Sequence, residues 1–493
     1  MTELHELSAV RLRELLAQGE LRALELAEHY LDRIDRLDPH FGAFITVARD
    51  SALERAADLD AARGRGDAHA ARRHEAPLWG LPFADKDLLD RAGVPTTYGS
   101  RAMAGYVPTR SHPLAATMDA AGGVSLGKTN TPEFGLPSHT RNRLDLGPAR
   151  NPWAPDRDPG GSSGGAAVAV AARLLPFAPG TDGGGSIRIP AAACGLVGLK
   201  PSRGRVPDAS GIDSLAGLVV GGPIARSVED AALLLDGMIA RGHGGAVEDR
   251  FALTAPAGER SYLDALAVPV RRLRIGWNTW SPWASDYDIV LDDERRAVLD
   301  DTVRLLERFG HEVIPVEPRT TPEYVRAFRT VWMAGAASIP LDDAALEHVE
   351  PLTRWLVGEG RKVPAGSLAS ALAALSAIEA QPIAEYSCVD VVLTPSLAMP
   401  PRPLDWYDEA DGERNFEQQC RFTPYTSYLN VAGLPAITLP VSSAPIPAGV
   451  QAIGRRGDEV TLLRLGLQLE RELGWAERVP ASLDAPSSAD RRA

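Results

Sequence analysis

The chain has 493 residues, with 52 Lys and Arg against 65 Asp and Glu, a formal net charge of −13, 44% apolar and 24% charged residues. That length and composition support a large buried core, and the negative balance disfavours a phosphate backbone as partner. Cys194, Cys388 and Cys420 make no disulfide framework and share no metal-ligand spacing with histidine. The start, MTELHELSAV, is not a leader pattern, and no run of about 18 apolar residues suggests a membrane span. The expectation is therefore a cytoplasmic protein.

The predicted elements run as follows. Ser8 caps a first helix that Gly19 ends, and a second helix carries Leu24, Leu26, Ala27, Leu31, Ile34 and Leu37 on one face and stops before Pro39. A third covers Asp50 to Arg63. Residues 64–77 read as a Gly, Arg and His loop; the arginine run Arg63, Arg65, Arg72 and Arg73 is diluted by Asp, Glu and His and reads as a solvated face, not a nucleic-acid patch. Leu81 to Ala84 is a short strand leading into Lys86. Leu114 to Ala121 is helical and Gly123 to Leu126 a strand; Ala166 to Leu175 and Ser227 to Ile239 are helices. Further on, Leu273 to Trp277 is a strand and Glu294 to Phe309 an amphipathic helix. Val389 to Thr394 and Leu434 to Leu439 are strands, and Leu462 to Leu473 is the last helix. Alternating strands and helices argue for an α/β layered fold with a mixed sheet.

The densest chemistry lies between Pro159 and Pro201, PGGSSGGAAVAVAARLLPFAPGTDGGGSIRIPAAACGLVGLKP, with Ser162 and Ser186 each framed by glycine. Glycine beside serine lets the backbone approach a substrate closely, and successive N–H groups of such a loop can converge on an oxyanion. Gly160 to Gly165, Thr181 to Pro190 and Cys194 to Pro201 resemble the G-G-S-S-G-G, T-D-x-G-G-S-I-R-x-P and C-G-x-x-G-x-K-P blocks of the amidase signature family. Lys86-Asp87, the stretch from Gly127 to Gly135, Asn151-Pro152-Trp153, Gly222 to Ser227, Leu393 to Pro395 and Asn430 to Ala436 extend the resemblance, in order, over most of the chain.

That resemblance implies a single large three-layer α/β/α domain around a central mixed sheet. Residues 1–75 would be a helical region packed on the core and 76–483 the catalytic domain, with substrate-shaping insertions in 240–390; residues 484–493 would be a disordered tail. It implies that Ser186 is the nucleophile, Ser162 a bridging serine preceded by a cis peptide, and Lys86 the base. The amides of Gly183, Gly184, Gly185 and Ser186 would form the oxyanion hole, with Ser163, Asp182 and Arg188 holding the loop. The expected activity is hydrolysis of carbon–nitrogen bonds other than peptide bonds in linear amides, through an acyl-Ser186 intermediate. Related carbamates and esters would also serve as substrates. No metal or organic cofactor, nucleic acid or membrane is implied, and a homodimer is compatible with it. The physical logic is coherent: a lysine of ordinary pKa ~10.4 is a poor base at neutral pH, and burial lowers that value by penalising the charged form.

The sequence departs from the family at three places. Position 183 is Gly where Thr or Asn is common, position 166 is Ala where Ser is frequent, and Asp85 precedes Lys86 where an apolar residue is usual. On a strand Asp85 would face away from Lys86.

Rival readings fail on context. Gly161-Ser162-Ser163-Gly164-Gly165 fits the G-x-S-x-G elbow with Ser163 as nucleophile and His243, His311 or His348 as partner, but NPWAPDRDPG before it cannot be the required strand. Gly122 to Thr129 matches the P-loop letter for letter, yet Pro132 follows where a long helix should open, so Lys128 reads as structural. Within the family the alternative is the A subunit of a glutamine-dependent tRNA amidotransferase, which usually carries Gln where this chain has Ile189. Trp277, Trp280, Trp283 and Trp332 read first as core, and the 277–283 segment tilts the substrate toward aryl or long apolar groups.

Overall fold

Among the described residues eleven strands form two sheets. They are β1 (Phe44–Val47), β2 (Pro82–Lys86), β3 (Val124–Thr129), β4 (Phe177–Asp182), β5 (Val197–Lys200), β6 (Val220–Ala225), β7 (Arg274–Trp277), β8 (Glu312–Pro315), β9 (Val391–Pro395), β10 (Ala436–Leu439) and β11 (Val450–Ile453). The computed structural model describes residues 3–64, 76–144, 146–206, 212–239, 253, 261–319 and 321–483. Residues 65–75 of the expected 64–77 loop, His243 and the 484–493 tail lie outside the described residues.

The eight-stranded sheet has the order β4-β6-β5-β10-β11-β9-β7-β8 and the three-stranded sheet β1-β3-β2. The large sheet is mixed: β7 runs parallel to β8 and β9, and its other pairings are antiparallel. Every residue of β9, β10 and β11 is buried, as expected of central strands covered on both faces. The helices Val228–Met238 and Glu459–Leu473 pack on this sheet, and the all-buried helix Gly164–Ala171 lies against strands of both sheets. β2 of the small sheet packs beside β4 of the large one, which brings the end of β2, Lys86, to the end of β4, Thr181 and Asp182.

The N-terminal helices share the main apolar core through Leu12, Leu26, Tyr30 and Ile34. A second apolar cluster gathers Trp283, Tyr324, Phe328 and Phe416 with residues of the helices Pro351–Arg361, Ala365–Glu385 and Tyr428–Ala432. Helix starts follow their capping residues: Ser8 accepts from the Arg11 amide, Ser227 from Asp230 and Asp458 from Thr461.

Several sequence expectations need correction. Pro39 does not stop the second helix; it sits inside Ala23–Phe41, which ends at Gly42 with φ 63. The helix expected to reach Leu175 ends at Ala171, before Arg173 turns the chain with φ 57. The helix Ala365–Glu385, with its extension to Cys388, is long and apolar enough to cross a membrane by length and composition, with mean hydropathy 1.2 over an 18-residue window that is 22% buried. The sequence reading passed over it because alanine, interleaved with serine, carries much of its apolar character.

Candidate active site

Lys86 ends a strand whose five residues are all buried, and its own side chain has no exposure. Its Nζ donates to Ser162 Oγ at 2.7 Å and to Thr181 Oγ1 at 3.0 Å. Burial pushes the Lys86 pKa down from 10.5 to about 7, against a smaller upward pull from the Asp182 carboxylate. Asp85, its neighbour, points to the other side of the strand, where it binds Arg91 and Ser125, so it does not hold the Lys86 amine in its charged form.

The Gly161–Ser162 peptide is cis. Ser163 N–H donates to the Ser186 carbonyl at 3.1 Å, which fastens the two serine-bearing loops side by side. Ser163 Oγ donates to the Thr181 carbonyl at 3.2 Å. Ser186 is half-buried, and among the described residues its hydroxyl has no hydrogen-bond partner. Lys86 and Ser162 are thus joined directly, while the Ser186 hydroxyl stands free at the adjoining loop.

The loop between β4 and Ser186 is pinned by a buried ion pair. Arg188 Nη2 and Nε donate to the two Asp182 carboxylate oxygens at 2.8 and 3.0 Å, and neither side chain is exposed. Burial works to raise the Asp182 pKa, but the Arg188 guanidinium overrides it and holds the carboxyl well below the usual range. The other guanidinium donors reach Thr426 O, Gln451 Oε1 and Asn430 Oδ1 at 2.9, 2.7 and 2.7 Å, which satisfies a charge that would otherwise be costly to bury. Asp182 also accepts from the amides of Gly185 and Ile187.

The four amides expected to bind an oxyanion differ in their hydrogen bonding. The Gly185 N–H is engaged by Asp182 Oδ1 at 2.7 Å. The amides of Gly183, Gly184 and Ser186 form no hydrogen bond among the described residues. Gly185 is required for another reason: its φ is +132, and a Cβ there would lie 2.4 Å from Thr426 Oγ1.

Ser186 and Gly184 line a pocket together with Trp283, Phe328, Trp332, Phe416, Gln419 and Cys420. Of the four tryptophans singled out in the sequence, Trp283 and Trp332 reach this pocket; Trp277 packs on the main core and Trp280 on the second cluster. Lys128 is structural. It lies in β3 and binds Leu89 O, Thr96 Oγ1 and Asp87. Among the described residues no three His, Cys, Asp or Glu side chains converge as a metal site. Thr181, Thr426, Asn430 and Gln451 take part in the site without a role expected from the sequence. Thr181 and Asn430 stood inside quoted motifs, but nothing local marked Gln451.

The comparisons with known proteins agree on one group. The family model described as Amidase matches residues 25–463. The Mycobacterium tuberculosis protein AmiB2, an amidase by name, is 36% identical over 97% of this chain and 99% of its own. From Acinetobacter baylyi, the A subunit of the glutamyl-tRNA(Gln) amidotransferase is 33% identical, over 96% and 97% respectively. Among solved structures, a 6-aminohexanoate cyclic dimer hydrolase superposes with TM-score 0.85 at 29% identity, covering 98% of this chain and all of its own. A bacterial aryl acylamidase gives 0.83 at 25% identity over 99% of each chain.

Proposed function

The chain belongs to the amidase family, and we propose that it hydrolyses linear amides of apolar, aryl-bearing compounds through an acyl-Ser186 intermediate. The observation that carries this reading is Lys86: a fully buried amine with its pKa brought to about 7, 2.7 Å from Ser162 Oγ, beside a free Ser186 hydroxyl that opens on an aromatic pocket. An amide is a weak electrophile with a poor leaving group, so its hydrolysis needs an activated nucleophile, donors for the tetrahedral oxyanion and a proton for the departing amine.

In this reading neutral Lys86 takes the Ser162 proton, and Ser162 takes the proton of Ser186 as its oxygen bonds to the carbonyl carbon. The free amides of Gly183, Gly184 and Ser186 receive the oxyanion. The C–N bond breaks as the proton returns along the same path to the amine. Water, deprotonated through Ser162 and Lys86, then cleaves the acyl-serine ester and restores the enzyme. Removing one oxyanion donor typically lowers rate on the order of 10²–10³-fold.

The neighbours named above act on different amides, so this chain's own pocket chooses its substrate, and its walls are aromatic. A hydrolysis screen over anilides, aliphatic amides, carbamates and esters, with Ser186→Ala as control, tests the proposal. Turnover of aryl-bearing amides by the wild type and none by the variant is the expected result; activity only on esters, or an active variant, overturns it.

The amidotransferase relative supports a second reading, release of ammonia from glutamine for partner subunits. Ile189 lines the pocket as an apolar side chain where that group usually carries Gln. Hydrolysis of an anilide by the isolated chain favours the first reading; co-purification with two other subunits and dependence on glutamine favours the second.

A further inference from the structure

The helix Tyr324–Ala337 carries Tyr324, Phe328 and Trp332 four residues apart, so the three rings stand on one face. They stack: Tyr324 on Phe328 at 5.7 Å and 26°, Phe328 on Trp332 at 5.6 Å and 15°. Trp283 braces the middle ring edge-on at 5.4 Å and 79°. Exposure rises along the ladder, from none at Tyr324 and 4% at Phe328 to a half-buried Trp332. The inner rings are fixed and the last one is open to the pocket.

The ladder faces two glycines whose backbone does not require glycine. Neither Gly183 nor Gly184 has a positive φ. A Cβ on Gly184 would lie 3.7 Å from Phe328 Cζ; one on Gly183 would lie 3.1 Å from Val219 Cγ2 and 3.6 Å from Trp332 Cζ3. Gly183 therefore serves by leaving space. A branched or amide side chain there would fill the space between the loop and the indole beside the Ser186 pocket, which glycine leaves open.

We propose that Trp332, facing the space that Gly183 leaves open, is the specificity-determining residue of this pocket and selects amides with a flat aromatic ring next to the scissile carbonyl. The substrate ring lies against the open part of the indole, while the carbonyl meets Ser186. This rests on the reading of Ser186 as nucleophile.

The test is kcat/KM for benzamide and acetanilide, each divided by that for butyramide, in the wild type, Trp332→Ala, Trp332→Phe, Gly183→Thr and the Gly183→Thr/Trp332→Ala pair. One aromatic contact with its buried area corresponds to about tenfold in such a ratio. Trp332→Ala is expected to lower the benzamide ratio about tenfold and the acetanilide ratio, whose ring is on nitrogen, less; Trp332→Phe is expected to keep most of the benzamide ratio. Gly183→Thr is expected to lower it about tenfold in the wild-type background and little when Trp332 is already Ala. Labelling of Ser186 by a fluorophosphonate, scored in each variant, reports the nucleophile separately. Ratios unchanged in a Trp332→Ala enzyme that still labels, or effects of the two substitutions that simply multiply, overturn the proposal. A folded wild type that does not label overturns the nucleophile reading beneath it instead.

Discussion

Lys86 and Ser162, 76 positions apart, meet at 2.7 Å in a site where neither is exposed by more than 2%. The contact depends on two sheets. β2 ends at Lys86, β4 ends beside it at Thr181 and Asp182, and the Gly164–Ala171 helix leads the serine loop into the junction. A primary amine placed there loses its hydration, and the chemistry proposed above follows from that loss.

Burying Lys86 costs stability, with a definite sign against pH. Its pKa falls from 10.5 to about 7 on folding, so the unfolded chain holds the proton more tightly. The penalty is full below pH 7, shrinks as pH rises towards 10.5 and vanishes above it. At 1.36 kcal/mol per pKa unit it is about 5 kcal/mol. Lys86→Met removes it while depriving two hydroxyls of a partner, about 1 kcal/mol each. The variant is expected to be inactive yet a few kcal/mol more stable than the wild type at pH 6, with the gain smaller at pH 9, in urea unfolding. A variant less stable than the wild type at pH 6 contradicts the burial argument.

Lys86→Ala is expected to impair amide hydrolysis more than ester hydrolysis, because an amine must be protonated to leave and an alkoxide need not be. Matched amide and ester substrates with a common acyl group give the comparison. Equal losses on both argue against Lys86 as the proton donor.

The Asp182–Arg188 pair holds the loop from β4 to Ser186. Breaking a buried pair by removing one partner costs about 3–5 kcal/mol. Asp182→Asn and Arg188→Met should each lose stability on that scale in chemical unfolding. Arg188→Lys should not recover it, since one ammonium cannot reproduce a planar fork that also binds Thr426, Asn430 and Gln451. Full stability in Arg188→Lys would show that the fork geometry is dispensable.

Two adjacent glycines separate backbone need from open space. Gly185→Ala forces a Cβ to 2.4 Å from Thr426 Oγ1 at a φ of +132, whereas Gly184→Ala meets nothing nearer than 3.7 Å. The first substitution should lower kcat strongly and destabilise the loop, and the second should leave unfolding unchanged. Indistinguishable unfolding curves for the two would refute this assignment.

Local motifs made the two serines, Lys86 and the order of most elements readable, because glycine-rich loops and capping serines declare themselves within a few residues. What stayed hidden was long-range. Gln451 reaches Arg188 across 263 positions and Asn430 across 242, and no local spacing encodes either. Nothing in the glycine run marks the Gly185 amide, which donates to Asp182, apart from its neighbours. Trp332 carried no sign of its place beside Gly183, since helical spacing gives a face but not what the face meets. The Ala365–Glu385 helix escaped notice because its apolar character comes largely from alanine.

The rate of Ser186 phosphonylation by a fluorophosphonate, followed from pH 5 to 9 in the wild type and in Lys86→Met, tests the central claim most directly. Below about 7 the amine is protonated and accepts nothing, so the wild-type rate should rise with pH through about 7 and then level, while the variant stays at least about 100-fold slower and flat. An identical pH curve in the variant, or an adduct mapped to another residue, would contradict it.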